Sequence, residues 1–205
     1  MYLSRIKLNT TNRNTYKFFA SLEVAHAAVE AMFSFGDQSR KLWRLDYLNG
    51  QAYILILSAS IPNMESFIEQ FGYYGDAGET REYTKLLDIL QNGQKYRFRL
   101  TANPVKSIKQ EGQARGKVVG HITVEQQEGW LLAKSSKNGF KVVDFRLVQR
   151  DIKRFRRKNR VVTLAVAEYE GVLQITDLEA FKSMLVNGLG RGKAYGCGLL
   201  TLARL

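Results

Sequence analysis

Lys41-Leu-Trp-Arg-Leu-Asp-Tyr-Leu-Asn-Gly-Gln-Ala-Tyr-Ile-Leu-Ile-Leu-Ser-Ala-Ser60 decides how the first half of the chain folds. Asn49-Gly50 takes the left-handed conformations of a two-residue hairpin turn at little cost, and it stands between two apolar-rich runs. The spacing predicts strands over 41–48 and 52–60. Upstream, residues 2–8 alternate as a strand, and residues 23–33 set Val24, Ala27, Ala28, Ala31 and Met32 at helical intervals. Downstream, Pro62 permits a helix start, and Met64, Phe67, Ile68 and Phe71 give that helix one apolar face. A loop rich in Gly and Tyr follows at 72–80, then a weak strand at 82–87. The half reads β-α-β-β-α-β.

The same order returns. Residues 94–102 alternate Tyr96, Phe98 and Leu100 with Lys95, Arg97 and Arg99. Residues 103–120 are polar, basic and aperiodic, which predicts a mobile loop. A helix over 123–133 carries Trp130 on its apolar side, and strands follow at 140–149, 150–156, 160–168 and 171–176. Asp177 caps a helix ending at Val186, and a last strand covers 198–204. The expected class is α+β, with two tandem ferredoxin-like (RRM-like) domains at 1–92 and 93–205. That shape hosts many functions and decides none of them.

Charge narrows the field. The 205 residues hold 31 Lys+Arg against 19 Asp+Glu, a net charge of +12, which favours a polyanionic partner: RNA, DNA or an anionic membrane surface. The helix over 21–34 has no cationic face, so a membrane-surface role is not expected. The N-terminus lacks the apolar centre of a signal peptide, no run approaches the roughly 20 apolar residues that span a bilayer, and the expected compartment is the cytoplasm. Cys197 is the only cysteine, which rules out an intrachain disulfide and a cysteine-based zinc cluster. No carboxylate cluster has metal-site spacing, so any nuclease chemistry is expected to need neither metal nor cofactor.

Three constellations carry possible chemistry. In Gly188-Leu-Gly-Arg-Gly-Lys-Ala-Tyr-Gly-Cys-Gly198, glycines 188, 190, 192, 196 and 198 interleave with Arg191, Lys193 and Tyr195. Gly188, Gly190, Gly192, Gly196 and Gly198 let backbone N–H groups approach a phosphate, and the cations supply charge. The competing reading is a turn whose glycines serve tight packing. Between Arg150 and Arg160, seven of eleven residues are cationic: Arg150, Lys153, Arg154, Arg156, Arg157, Lys158 and Arg160, with a turn near Lys158-Asn159. Such a hairpin suits a widened groove of structured RNA, with arginine forks on phosphates and guanine edges. The loop over 103–120 adds Lys106, Arg115 and Lys117 as RNA-binding candidates, and His121 closes it. His26, the other histidine, lies on the first helix with Glu23 at i−3 and Glu30 at i+4. An imidazole titrating near neutrality suits proton transfer when a 2′-OH attacks the adjacent phosphorus; the alternative is a helix histidine bonded to Glu30.

With these residues in view, the chain resembles the CasE family, the CRISPR repeat-processing endoribonucleases of the type I-E Cascade complex. Phe98-Arg-Leu-Thr-Ala-Asn-Pro-Val-Lys106 is similar to the family's central F-R-L-x-A-N-P motif. Gly188 to Leu200 is similar to its terminal G-x-G-x-x-K-x-x-G-x-G-L-L signature, and Met1-Tyr-Leu-Ser-Arg5 to its usual start. The resemblance implies binding of a repeat hairpin, cleavage at the 3′ base of its stem without metal, and products ending in a 2′,3′-cyclic phosphate and a 5′-hydroxyl. It implies as partners the CRISPR repeat RNA, whose 3′ stem-loop stays bound as crRNA, and the other Cascade subunits. His26 takes the place of the family's catalytic histidine, acting as general acid, general base or both in turn. The hairpin with Arg156, Arg157 and Lys158 matches the element that grips the stem, and Lys158 or Lys193 can stabilise the phosphorane. Many members place a tyrosine three residues before the histidine; here that position is Glu23, a carboxylate that can favour imidazolium, or else Tyr16, or no tyrosine, fills the role. A non-catalytic RNA-hairpin-binding subunit is the rival reading of the same surfaces.

Overall fold

β1 (Tyr2–Leu8) opens the chain and leads into two short helices, α1 (Arg13–Ala20) and α2 (Leu22–Glu30). The computed structural model describes residues 1–109, 116–157 and 160–205, with the backbone alone at 156, 157 and 160. β2 (Leu42–Leu48) and β3 (Gln51–Ser58) form the hairpin expected from Asn49-Gly50, whose φ values are 52° and 76°. α3 (Glu65–Phe71), β4 (Glu79–Glu82) and α4 (Thr84–Ile89) complete the first half. The antiparallel sheet has the order β2-β3-β1-β4. Ile6, Leu8, Ile54 and Ile56 are buried in it, and Phe18 of α1 meets Phe67 and Phe71 of α3 at centroid distances of 5.7 and 5.2 Å. Those tilted and edge-on contacts add to the burial of large apolar rings.

Two features of this half differ from the expectation. α1 arises in the polar run Arg13–Lys17, where periodicity is hidden because only Thr15 and Phe18 are buried. Asn12 starts it by accepting a hydrogen bond from the Asn14 N–H. The strand expected at 82–87 is instead the end of β4 followed by α4. Only four residues of β4 pair with β1, and α4 is too short for a periodic stripe to declare it.

The second half begins with β5 (Lys95–Ala102), followed by β6 (Val105–Ile108) and β7 (Lys117–Gly120). β6 and β7 pair with Lys106 opposite Val119, so part of the expected mobile loop is an antiparallel ribbon; residues 110–115 lie outside the described residues. α5 (Val124–Ser135) is capped by Thr123, whose side chain accepts from the Gln126 N–H. β8 (Phe140–Arg157) and β9 (Arg160–Ile175) then run as two long paired strands where four shorter ones are expected. The break expected between 168 and 171 is absent, and Gly171 lies inside the strand, where an added Cβ would lie 2.1 Å from the Asp144 carbonyl oxygen. This glycine serves a close backbone approach beside the bulge at Val142/Asp144, inside a continuous strand. α6 (Leu178–Asn187) is capped by Asp177 as expected, and β10 (Leu200–Ala203) ends the sheet order β10-β5-β9-β8.

Both sheets therefore share one order: fourth strand, first, third, second. The chain divides into one unit of Met1–Leu90 with Lys193–Leu199 and a second of Gln91–Gly192 with Leu200–Leu205. The seven residues Lys193–Leu199 thus belong with the first sheet although they follow most of the second in sequence.

Candidate active site and nucleic-acid interface

α2 carries His26 because Leu22, Ala25 and Val29 bury one stripe of the helix and leave position 26 at the edge of that stripe. The imidazole is half-buried. Its Nδ1 is shut away from solvent without a hydrogen-bond partner, 3.8 Å from Glu30 Oε1. The Tyr195 ring meets it edge-on, with centroids 6.2 Å apart and an interplanar angle of 67°. Glu23, by contrast, is exposed in the first turn of α2, where a carboxylate complements the helix dipole. Tyr16, on α1, is 64% exposed. The structure thus brings Glu30 and Tyr195 to the imidazole of His26.

Tyr195 reaches α2 because the turn Lys193–Tyr195 is pinned to the first unit by its neighbours. Arg44, 1% exposed, grips Asp46 through Nε and Nη2 at 2.6 and 2.8 Å, and its Nη1 donates to the Leu199 carbonyl at 2.9 Å. Gly196, at φ 77°, leaves room for the Trp43 indole, which an added Cβ would approach to 2.9 Å. Lys193 stands in the same turn. Burial first, and then the positive charge of Arg40, hold its ammonium below the usual lysine range. Two cations that repel each other in this way make a place where a phosphate is electrostatically welcome.

In the second unit, Lys106, Ser107, Lys134, Trp130, Gly190 and Arg191 help to line a cavity of 190 Å³, and among the described residues its lining holds no carboxylate. Gly190, at φ 81°, sits against the Trp130 indole, and an added Cβ would stand 2.9 Å from that ring. Gly190 and Gly196 therefore both have a packing reason. Asn103 and Arg191 form a β-bridge that fixes the glycine segment beside the central motif. Lys134 and Ser107 escape a reading of the sequence, since nothing in a helix pattern or a polar loop shows that they converge.

The remaining cations spread over strands. Arg150, Lys153 and Arg154 lie on β8 opposite Ala167, Leu164 and Thr163, Arg150 and Arg154 being exposed, and Lys117 is exposed on β7. Arg156, Arg157 and Arg160 continue the β8–β9 ladder by their backbones, whereas Lys158, Asn159 and Arg115 lie outside the described residues. His121 donates its backbone N–H to the Pro104 carbonyl, and its own carbonyl accepts from the Gln127 side chain, so its backbone is tied into the unit. Among the described residues no group of three or more His, Cys, Asp or Glu stands at metal-holding distance, and no helix is long and apolar enough to cross a membrane.

A family model described as CRISPR associated protein matches residues 1–204. The chain belongs to this family of CRISPR-associated proteins. Within the family it is homologous to the Cse3/CasE endoribonucleases. It is 26% identical over 218 residues to the CRISPR-associated endoribonuclease Cse3 of Thermus thermophilus, covering 99% of this chain and all of that protein. It is 32% identical over 123 residues to the CRISPR system Cascade subunit CasE of Escherichia coli, covering 57% of this chain and 61% of that one. The solved structure of Cse3 bound to a 19-nucleotide RNA superposes with a TM-score of 0.82 at 26% identity, over 99% of this chain and all of that one. The mixed α/β architecture with antiparallel sheets is that of the Cse3 structures.

Proposed function

We propose that this protein is a metal-independent endoribonuclease that binds the stem-loop of CRISPR repeat RNA and cuts at the 3′ base of the stem. The product is mature crRNA ending in a 2′,3′-cyclic phosphate, which stays bound to the protein among the other Cascade subunits in the cytoplasm. The observation that carries the reading is His26 on α2 packed against the turn that holds Lys193 and Tyr195. The pairing unites a proton-transfer group with a cation whose ammonium is held low by burial and by the positive charge of Arg40. The common strand order of the two sheets supports tandem ferredoxin-like domains, divided near residue 92.

The chemistry follows from those groups. The 2′-oxygen of the nucleotide before the cut attacks the adjacent phosphorus as His26 takes its proton. The O2′–P bond forms, the P–O5′ bond breaks, and a proton from the imidazolium goes to the leaving 5′-oxygen. Lys193 faces the charge that gathers on the non-bridging oxygens, a role Lys158 shares by resemblance. Arg150, Lys153, Arg154, Arg156, Arg157 and Arg160 grip the stem's phosphates, with Lys106, Arg115, Lys117 and Arg191 adding backbone contacts. The cavity lined by Lys106, Lys134, Arg191 and Ser107 is large enough for one phosphate of that backbone.

The deciding experiment is cleavage of a labelled repeat hairpin in EDTA by wild type and His26→Ala, with a 2′-deoxy substitution at the cut site. Cutting by wild type that disappears with either change is the expected result. Tight binding with no cutting by wild type would leave a non-catalytic hairpin-binding subunit.

A further inference from the structure

We propose that Glu30 is the positioning residue of His26: anchored from behind by Lys41, its carboxylate accepts the Nδ1–H of the imidazole and leaves Nε2 as the atom that meets RNA. The effect on rate rests on the endoribonuclease reading; the geometry does not.

Residues 26 and 30 are one helical turn apart, so their side chains share a face of α2 by construction. A buried ring nitrogen without a partner costs about 1–3 kcal/mol, and Nδ1 is such an atom. The oxygen facing it, Glu30 Oε1, stands at 3.8 Å, too far for a hydrogen bond by about 1 Å. Hydrogen bonds of a catalytic group are often long before substrate binds and tighten afterwards. A small rotation of Glu30 closes this one.

What separates Glu30 from an ordinary solvated helix carboxylate is its second oxygen. Oε2 accepts from Lys41 Nζ at 3.2 Å, and the Lys41 side chain is only 2% exposed. The same ammonium donates to the Asp37 carbonyl at 2.5 Å and lies 3.7 Å from Asp37 Oδ1. Asp37 is itself fixed by Ser39, whose hydrogen bonds hold its carboxyl below the usual range. A buried ammonium stripped of one of these carboxylates would be strongly destabilised, so Glu30 is not at liberty to swing into water. Its two oxygens are thereby divided, Oε2 to Lys41 and Oε1 toward the imidazole. Tyr195 limits the ring by its edge-on contact.

The division sets the tautomer. With Nδ1–H directed at Glu30, the lone pair of the neutral ring is on Nε2, which takes the 2′-OH proton and later returns a proton to the 5′-oxygen. The Glu30 carboxylate facing Nδ1 stabilises the imidazolium between those two transfers.

Glu30→Gln gives the sharpest test because it keeps size and polarity. Lys41 can only donate, so it claims the amide oxygen, and the amide NH2 then faces Nδ1. The ring must switch to the Nε2–H tautomer, which has no lone pair for the 2′-OH proton. Long-range 1H–15N spectra of the full chain, assigned with His121→Gln, are expected to show His26 as Nδ1–H in wild type and Nε2–H in Glu30→Gln. Glu30→Ala is expected to leave a mixture. Single-turnover cleavage of the repeat hairpin is expected to fall roughly 10- to 100-fold in both variants, with RNA affinity unchanged. A Glu30→Gln protein with wild-type tautomer and wild-type rate overturns the proposal. If wild type itself does not cut, the endoribonuclease reading fails, and the spectra still decide whether Glu30 sets the tautomer.

Discussion

His26 and Tyr195 lie 169 positions apart in sequence, yet their rings meet edge to face at 6.2 Å. The partner of the imidazole comes from the terminal glycine-rich signature, through a turn that packs with the first unit. Edge-to-face aromatic pairs contribute about 0.5–1.5 kcal/mol beyond burial. If the ring of Tyr195 is what steadies His26, Tyr195→Phe keeps cleavage near wild type while Tyr195→Ala lowers the single-turnover rate roughly 2- to 10-fold at unchanged RNA affinity. Equal loss in both variants would assign the effect to the phenol oxygen instead.

The two indole-facing glycines make a prediction about stability alone. Gly190 and Gly196 combine positive φ with an indole carbon 2.9 Å from where a Cβ would stand. Alanine at either is expected to destabilise the protein by about 1–3 kcal/mol, through strain and overpacking together. Gly129, inside α5 with open space around its missing Cβ, is the matched control. Gly129→Ala is expected to raise stability by about 0.5–1 kcal/mol. Denaturant melts of the three variants check the order, and a Gly190→Ala protein as stable as Gly129→Ala would sink it.

How far the sequence speaks depends on whether a signal is local. Asn49-Gly50, the alternation of Tyr96, Phe98 and Leu100, and the Asp177 cap are local, and each element stands where its residues predict. α1 escapes such a reading because a helix that buries two side chains has no stripe to show. The continuity of β9 through 169–170 escapes it too, since only pairing with β8 shows that Tyr169, Glu170 and Gly171 stay in one strand. The site shows the same limit. His26 and the glycine-rich signature are legible as chemistry, but Lys41, Arg40 and Tyr195 reach their places through tertiary packing that no spacing encodes. Likewise Lys134 meets Lys106 and Arg191 only once α5 and the β6–β7 ribbon are folded.

That convergence predicts a binding effect at Lys134. Each phosphate contact contributes about one unit to the slope of log affinity against log salt. Lys134→Ala is expected to weaken binding of the repeat hairpin and to reduce that slope by about 1, with the cleavage rate at saturating protein unchanged. Lys137, just beyond the end of α5 and outside the cavity lining, is the control. Titrations at several salt concentrations read both quantities. Identical slopes for wild type and Lys134→Ala would remove this cavity from the RNA path.

Acid should weaken the second unit through Glu170. Its carboxylate receives Arg146 Nη2 at 2.9 Å and is also bonded by Arg99, while Glu168 stands 3.3 Å from Arg99 Nε. The hydrogen bond from Arg146 leads the causes that hold the Glu170 carboxyl below the usual glutamate range, with Arg99 adding to it. A carboxyl whose folded pKa is depressed binds fewer protons than its unfolded form as the medium turns acidic. Its stabilisation is therefore fully present above the unfolded pKa, and it is lost as pH falls through the folded one. Thermal midpoints taken from neutral pH down through the carboxylate range should fall less steeply for Glu170→Gln than for wild type. The variant starts lower, because two guanidinium groups have lost the carboxylate they share and the amide offers a single acceptor oxygen. Parallel curves for the two proteins would show that Glu170 is not coupled to folding, and would leave Asp37, Glu79 and Glu125, whose carboxyls are also held low, to carry the acid sensitivity.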